Sequence, residues 1–371
     1  EYIIMELTIS QEKLDFALAN VSRIANTRSS LPILGNVLLR TDGSTLIIAA
    51  TNLEVAAIHR LGAKVVKPAS ITVPARLISE FIHNLPKEQI ILTEKNNQLH
   101  ITSGGYSSTI NGTIDEEFPE LPVTDEKLAV SYNITTNDLK SAVNQTIIAA
   151  SSDSTRPILT GVYWHSYDGY LYSAATDGYR LAEKRIVKTK SDIEATIPTS
   201  TLQEVLRTLK DETQEVQILF TDTQVTYRFD DIEITSRLID GKFPDYRQLI
   251  PVKSESSFTI KSSDFVRITK IAGLFARESG GGITISTDID KKQIAVHSIA
   301  SEVGENTSEV DVVAVGESGS VSLNSRYLSD ALAVLDGNEV VFEFSGKLAP
   351  CILTSETKDP DYKHIIMPLK S

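Results

Sequence analysis

The sequence predicts an α+β protein built from three tandem copies of one unit, and three observations predict it. Segments return 125 positions later: Leu31-Pro32-Ile33-Leu34-Gly35 as Arg156-Pro157-Ile158-Leu159-Thr160, Thr51-Asn52-Leu53 as Thr176-Asp177-Gly178, and Phe118-Pro119-Glu120-Leu121-Pro122 as Phe243-Pro244-Asp245-Tyr246. A weaker third copy follows, with Asp264-Phe265 matching Asp138-Leu139 and Pro360-Asp361-Tyr362 matching Pro244-Asp245-Tyr246. Helical periodicity also alternates with short strand-like runs inside every copy. The period is too long for a short-repeat solenoid, so each copy is expected to be a domain with its own core.

Each copy divides into two similar halves, a strand, a helix and then short strands. In the first copy Leu14, Leu18, Val21 and Ala25 recur at helical spacing over Gln11–Arg28, with Ser10 as N-cap. A second helix starts at Pro74, a favourable first-turn residue, and runs through Leu77, Ile78, Phe81 and Ile82 to Pro86. The corresponding helices are Asn137–Ser152 and Pro198–Lys210 in the second copy, and Ser263–Glu278 and Asn324–Asp336 in the third. Val225, Tyr227 and Phe229 alternate with polar residues, and Ile232 and Ile234 do so after an Asp230-Asp231 turn. Six helices with many antiparallel strands put helices on one face of the sheets. Polar stretches near Pro122–Ala129 and Pro251–Ser256 mark the boundaries, giving domains 1–128, 129–256 and 257–371.

Length and apolar content (371 residues, 41% hydrophobic) suffice for three cores. No apolar run approaches the roughly 20 residues of a membrane span, and no signal peptide is visible. The single Cys351 excludes an internal disulfide framework and fits a reducing cytoplasm. The first residues lack an initiating Met, so the native start is expected at Met5 or upstream of Glu1. A net charge of −13 argues against nucleic acid if it is evenly spread. It is not evenly spread. The six helical segments hold eleven basic and nine acidic residues, a balance of +2, which leaves −15 for everything else. In the fifth helix Arg267, Lys270 and Arg277 form one stripe opposite Phe265, Ile268, Ala272 and Phe275. A mildly basic helical layer therefore recurs within an acidic chain.

Catalytic patterns are missing. The six histidines are scattered without paired ligand spacing, so neither a metal nor a cofactor is expected. Gly280-Gly281-Gly282 lacks the downstream Gly-Lys-Ser/Thr of a phosphate loop, and Gly316-Glu317-Ser318-Gly319-Ser320 fails the nucleophile-elbow pattern at its last position.

Leu31-Pro32-Ile33-Leu34-Gly35-Asn36, Thr176-Asp177-Gly178-Tyr179-Arg180-Leu181-Ala182, Gly241-Lys242-Phe243-Pro244-Asp245-Tyr246-Arg247 and Met367-Pro368-Leu369 together resemble the bacterial DNA polymerase III β subunit, the sliding-clamp family. The resemblance spans the whole chain in order. It implies a homodimeric head-to-tail ring of six similar domains, with twelve helices lining a hole that duplex DNA passes through. Twelve helices at ~10 Å spacing give a circumference of roughly 120 Å and a circle of axes about 38 Å across. One helix diameter less leaves a hole of about 28 Å, enough for a duplex and a water layer.

The resemblance also implies sites. Arg28 matches a family DNA contact; Arg23, Arg76, Arg207, Lys210, Arg267, Lys270 and Arg277 are further candidates from the helix pattern. A groove for partner peptides, such as those of the polymerase and the clamp loader, is implied at Leu159, Thr176, Gly178, Tyr179, Arg180, Leu181, Pro244, Leu249, Ile365, Ile366, Met367, Pro368 and Leu369. Ala349 and Cys351 stand at its edge, and Gln248 and Leu369 depart from residues that family members carry, arginine and methionine. Gly178 is expected to permit close backbone approach, Leu181 to offer an apolar wall, and Met367 to suit several partners. The dimer contact is implied at Leu274 and Phe275 against the strand near Tyr106 to Ile110. The alternative is a hydrolase on a triplicated α+β unit, with Asp177 and Arg180 in a polar cleft.

Overall fold

The structure is a computed structural model that describes residues 5–25, 30–277, 280–302 and 304–370. Among these residues lie six α-helices: α1 (Gln11–Ile24), α2 (Ala75–His83), α3 (Thr136–Ile147), α4 (Thr199–Thr208), α5 (Ser262–Ala276) and α6 (Ser325–Val334). Helices α1–α4 and α6 are shorter at their C-terminal ends than hydrophobic spacing suggests, because the last apolar residues serve the following turn. Leu335, for example, is the C-cap of α6 and donates its N–H to the Ala331 carbonyl. Ser10 caps α1 through its hydroxyl, accepting from the Lys13 N–H at 3.5 Å. Pro74 is the N-cap of α2 rather than its first helical residue. Leu14, Leu18 and Val21 are fully buried, as are Ile78 and Ile82, whereas Leu77 points to solvent.

The chain forms two compact units, residues 1–136 with 200–238, and residues 137–199 with 239–371. The sheets explain the division. In the first unit an eight-stranded antiparallel sheet places strands Glu215–Phe220, Gln224–Phe229 and Ile232–Arg237 of the second copy next to strands Val55–Gly62, Thr45–Thr51, Asn36–Asp42 and Ser70–Pro74 of the first. The junction is the pairing of Ile232–Arg237 with Val55–Gly62, Ile234 opposite Ala57. A five-stranded sheet, running from Lys64–Lys67 to Tyr106–Asn111, completes this unit.

The second unit repeats the device. Its nine-stranded sheet joins Gly161–Tyr167, Tyr170–Thr176 and Arg180–Lys188 to the C-terminal strands Tyr362–Ile366, Cys351–Ser355 and Glu339–Phe344. Here Leu181 faces Ile365 across the junction. A four-stranded sheet runs from Gly304–Asp311 to Gly319–Asn324. The hairpin at Asp230-Asp231 has a two-residue loop, with Phe229 opposite Ile232 and Asp230 at φ +48, the left-handed geometry that matches strand twist. The third copy has a core of Phe258, Phe265, Phe342 and Phe344 with the aliphatic residues of α5 and α6. Phe258 and Phe342 stack at 5.0 Å, and Phe265 meets both edge-on.

Three histidines are absorbed into these interiors. Burial pushes the imidazoles of His59 and His364 down to about 3, with the charge of Lys210 adding at His59 and that of Arg180 at His364. His165 is lowered to about 4 by burial and then by Arg247. Below the ordinary value of 6.5 the unfolded chain takes up protons that the folded chain refuses, so stability falls as pH drops from about 6.5 towards about 3. At pH 5 each site then costs about 2 kcal/mol relative to neutral pH. The expected result is that the His59, His165 and His364 ring signals in NMR show no titration between pH 5 and 8. A midpoint near 6.5 at any of the three would contradict this.

Candidate partner groove and basic helix faces

The segment Thr176–Arg180 is a turn organised by its own side chains. Thr176 Oγ1 donates to the Arg180 carbonyl at 2.6 Å and accepts the Gly178 N–H at 3.1 Å. Asp177 Oδ1 accepts the N–H groups of Tyr179 and Arg180 at 2.9 and 3.0 Å. The first copy builds the same turn. Thr51 Oγ1 donates to the Val55 carbonyl and accepts from Leu53, while Asn52 Oδ1 accepts from Glu54 and Val55. Leu53 has φ +75 and Gly178 φ +93. The expected role of Gly178 is corrected here. A Cβ at Gly178 would meet only Arg156 Nη1, at 3.6 Å, so the glycine is there for its left-handed backbone and not for close approach. Leu53 holds the same conformation at a cost of about 1–2 kcal/mol.

The two turns differ in what they hold. Arg180 pairs with Asp177 Oδ2 at 3.1 Å and with Asp330 Oδ2 of α6 at 2.6 Å, and its guanidinium lies 4.5 Å from the Tyr327 ring centroid. Tyr327 and Asp330 were missed in the sequence, because nothing in the spacing of α6 separates them from any exposed helix positions. The tail is tied to the same turn. Met367 donates its N–H to the Tyr179 carbonyl, and Leu369 donates to Ser322, both at 2.8 Å. Pro368, without an N–H, stands between these two anchors.

An apolar cluster forms the floor: Leu159, Ala174, Leu181, Phe243, Tyr246, Ile352 and Ile365, with Ile158, Tyr163 and Ile250 packed against it. Tyr163 stacks on Phe243 at 4.7 Å. Tyr246 donates its hydroxyl proton to the buried Glu183 at 2.6 Å and lies 2.7 Å from His165 Nε2. That order requires neutral His165 to carry its proton on Nε2, as the donor to Tyr246. Burial, then the Glu183 charge, drive the Tyr246 phenol well above its usual range, so it remains a donor. Arg247 closes the ring over Tyr167 at 3.7 Å, with Glu183 at 3.0 Å.

Of the residues assigned to the groove, the structure therefore brings together Leu159, Thr176, Gly178, Tyr179, Arg180, Leu181, Ile365 and Met367, while Leu369 is held on Ser322. Tyr179 and Leu249 are more than half exposed, and Pro244 and Gln248 are also on the surface, Gln248 bonded to Asp245 at 2.6 Å. Ile366 and Cys351 face the other way. Strand alternation after Ile365 turns Ile366 into the core of the third copy, where Cys351 is also fully buried, its thiol pushed up to about 12. Ala349 is half-buried in the preceding turn.

The polar cleft of the hydrolase alternative fails on this geometry. Asp177 is occupied by two backbone N–H groups and Arg180, and Arg180 by two carboxylates, so neither is free to act as acid, base or electrophile.

The basic helix residues fall into two sets. Arg23 is held by Glu204 at 2.6 Å with Arg207 3.8 Å from the same carboxylate, Arg76 by Glu80 at 2.8 Å and Arg267 by Asp264 at 3.0 Å. Lys210, Lys270 and Arg277 are exposed and form no ion pair with a described residue; Lys210 lies 4.5 Å over the Phe16 ring. Arg28 lies outside the described residues. At the implied dimer contact Leu274 and Tyr106 are exposed and Phe275 is half-buried, while Ile110 is buried within its own domain.

Comparisons with known proteins match this architecture from end to end. Residues 5–122, 133–245 and 247–370 match the N-terminal, central and C-terminal domains of the DNA polymerase III beta subunit. The chain is 30% identical to the beta sliding clamp of Staphylococcus epidermidis and 29% identical to that of Bacillus subtilis, over 99% of this chain and 100% of either relative. The crystal structure of the Bacillus subtilis sliding clamp superposes with a TM-score of 0.94 at 27% identity, covering 99% of both chains. A Pseudomonas aeruginosa sliding clamp bound to griselimycin gives 0.92 at 25% identity, covering 99% of this chain and 100% of that one.

The Arg180–Asp330 pair is expected to couple the turn to α6. In a double-mutant cycle with Arg180→Ala and Asp330→Ala, urea unfolding should show an interaction of about 1–3 kcal/mol. Additivity of the two single changes would mean that α6 does not hold the turn.

Proposed function

Because the chain belongs to the DNA polymerase III beta subunit family, we propose that it is a sliding clamp: two chains close head to tail around duplex DNA and tether replication proteins to it, without catalysis. The observation that carries this reading is the match of three successive domains, in family order, along the whole chain. The working division is three domains, 1–128, 129–256 and 257–371. The setting is the bacterial cytoplasm, and no described helix is long and apolar enough to cross a membrane.

The mechanism is topological. A closed ring stays on DNA without reading bases, and phosphate contacts need only be weak enough to slide. The helix charges suit that task. Arg23, Arg76 and Arg267 already have carboxylate partners, so much of the positive layer is neutralised before DNA arrives. Closure needs exposed edges. Strands Tyr106–Asn111 and Gly304–Asp311 each end a sheet with one side unpaired, and joining such edges with Leu274 and Tyr106 nearby removes them from solvent. Lys210, Lys270 and Arg277 are the proposed mobile phosphate contacts, and Arg28 the family one.

The turn at Thr176–Arg180, the Leu159–Leu181–Ile365 floor and the tail form the proposed groove for peptides of the polymerase, the clamp loader and other partners. Exposed Gln248 and Leu369, where family members can carry arginine and methionine, are the positions proposed to alter its peptide preference.

The dimer is expected at twice the 40.7 kDa chain in solution, retained on closed circular DNA and released when the circle is cut. Equal retention on circular and linear DNA would leave a simple DNA binder. Removing residues 368–371 is expected to abolish binding of a clamp-binding peptide and to leave retention on circles intact, because only the tail's anchor on Ser322 is lost. Undiminished peptide affinity after that truncation would place the groove elsewhere.

A further inference from the structure

A cavity of about 450 Å³ opens beside the turn Thr51–Val55 of the first unit, within the range of about 300–1,000 Å³ typical of ligand sites. It stands where the second unit has its candidate groove. Ala56 and Thr235, both buried and opposite each other in the sheet, line it at the positions that Leu181 and Ile365 hold in the second unit. The smaller pair leaves a hollow. Leu53 lines the cavity from the turn and is 50% exposed, although its backbone is held at φ +75. Glycine takes that conformation without strain, as Gly178 does in the second copy. The leucine therefore carries a backbone cost with half of its apolar surface still in water.

The charge of the two places differs as well. At the shift of 125, Glu54 stands for Tyr179, and Asp115, Glu116, Glu117 and Glu120 stand for Asp240, Gly241, Lys242 and Asp245. Five carboxylates thus take the place of two carboxylates and a lysine. Glu54 and Glu120 line the cavity itself, with Arg237 as its one basic residue. Exposed Glu120 forms no ion pair with a described residue, and Glu54 meets only Arg237, at 3.9 Å with both side chains mostly exposed. A pair of that kind is worth little and opens easily.

We infer that this cavity docks an extended segment of a partner protein that carries a lysine or arginine next to an aliphatic side chain. The basic group meets Glu54 and Glu120, and the aliphatic one covers Leu53 and enters the hollow over Ala56, with Pro122 beside it. A DNA strand is repelled by the same carboxylates. A metal ion does not fit, since no three His, Cys, Asp or Glu side chains among the described residues are grouped to hold one. A free polyamine answers the charge and leaves Leu53 uncovered. The cavity shares no residue with the proposed groove, and the inference does not rest on the clamp reading.

Methyl NMR on the full chain tests it, with two end-blocked hexapeptides, Ala-Leu-Lys-Leu-Lys-Ala and Ala-Leu-Glu-Leu-Glu-Ala, and spermidine as probes. The lysine peptide is expected to shift the Leu53, Val55 and Ala56 methyl signals saturably, one peptide per chain. The glutamate peptide should leave them in place, and spermidine should bind about tenfold more weakly or less. A Glu54→Lys/Glu120→Lys double variant, changed at two exposed positions, is expected to weaken the lysine peptide by about tenfold or more. Leu53→Gly should weaken it by about threefold or more at an unchanged or higher Tm, because backbone strain leaves with the side chain. No saturable shift at millimolar peptide, equal shifts from the glutamate peptide, spermidine binding as tightly, or unaltered affinity in either variant would overturn the inference. The chain lacking residues 368–371 separates this cavity from the groove. It is expected to lose a clamp-binding peptide and to keep the lysine peptide. Loss of both places the lysine peptide in the groove and sinks the cavity, whereas retention of both upholds the cavity and moves the groove elsewhere.

Discussion

The pairing of strand Arg180–Lys188 with the C-terminal strand Tyr362–Ile366 is the constraint on which the candidate groove depends. It sets Leu181 opposite Ile365 and Arg180 opposite Ile366, so one register decides which residue of each pair faces the floor and which the core. Alternation does the rest. Ile365 joins Leu159 and Phe243, while Ile366 joins the phenylalanine cluster of the third copy. A slip of one residue would exchange these faces and take the floor apart.

The same pairing exists in the first unit, where Val55–Gly62 meets Ile232–Arg237, and the two turns beside these junctions share their hydrogen bonds atom for atom. Repetition therefore supplies a scaffold and not yet a site. What distinguishes the second turn is its surroundings. Arg180 reaches Asp330 and Tyr327, whereas the first copy has Val55 at that position. The bond of the Tyr179 carbonyl to Met367 has its counterpart in the first copy, where the Glu54 carbonyl accepts the Arg237 N–H at 2.9 Å. The polar group from His165 through Tyr246 to Glu183 and Arg247 ties the Phe243–Tyr246 segment to the strands beneath it.

The charge distribution has a related logic. Net charge alone argues against DNA, and the helical balance of +2 reverses that argument, but pairing matters more than either count. Glu204, only slightly exposed, absorbs Arg23 and lies near Arg207, so several candidate contacts are structural as well as electrostatic. Of the candidate contacts among the described residues, Lys210 after α4 and Lys270 and Arg277 at α5 form no ion pair.

By itself the sequence determined the triplication, the six helices and most of their buried positions, the family, and the three stretches expected to form the candidate groove. These are legible because periodicity and repeat spacing are local properties written along the chain. The tertiary structure alone decided that sheets run across repeat boundaries, so that the second copy is divided between two units. It also decided that Gly178 serves φ rather than clearance, that Cys351 and Ile366 turn inward, that most helices end early, and that Tyr327 and Asp330 join the turn. Each of these depends on contacts between residues far apart in sequence, where strand register and side-chain reach are set by neighbours that no local pattern names.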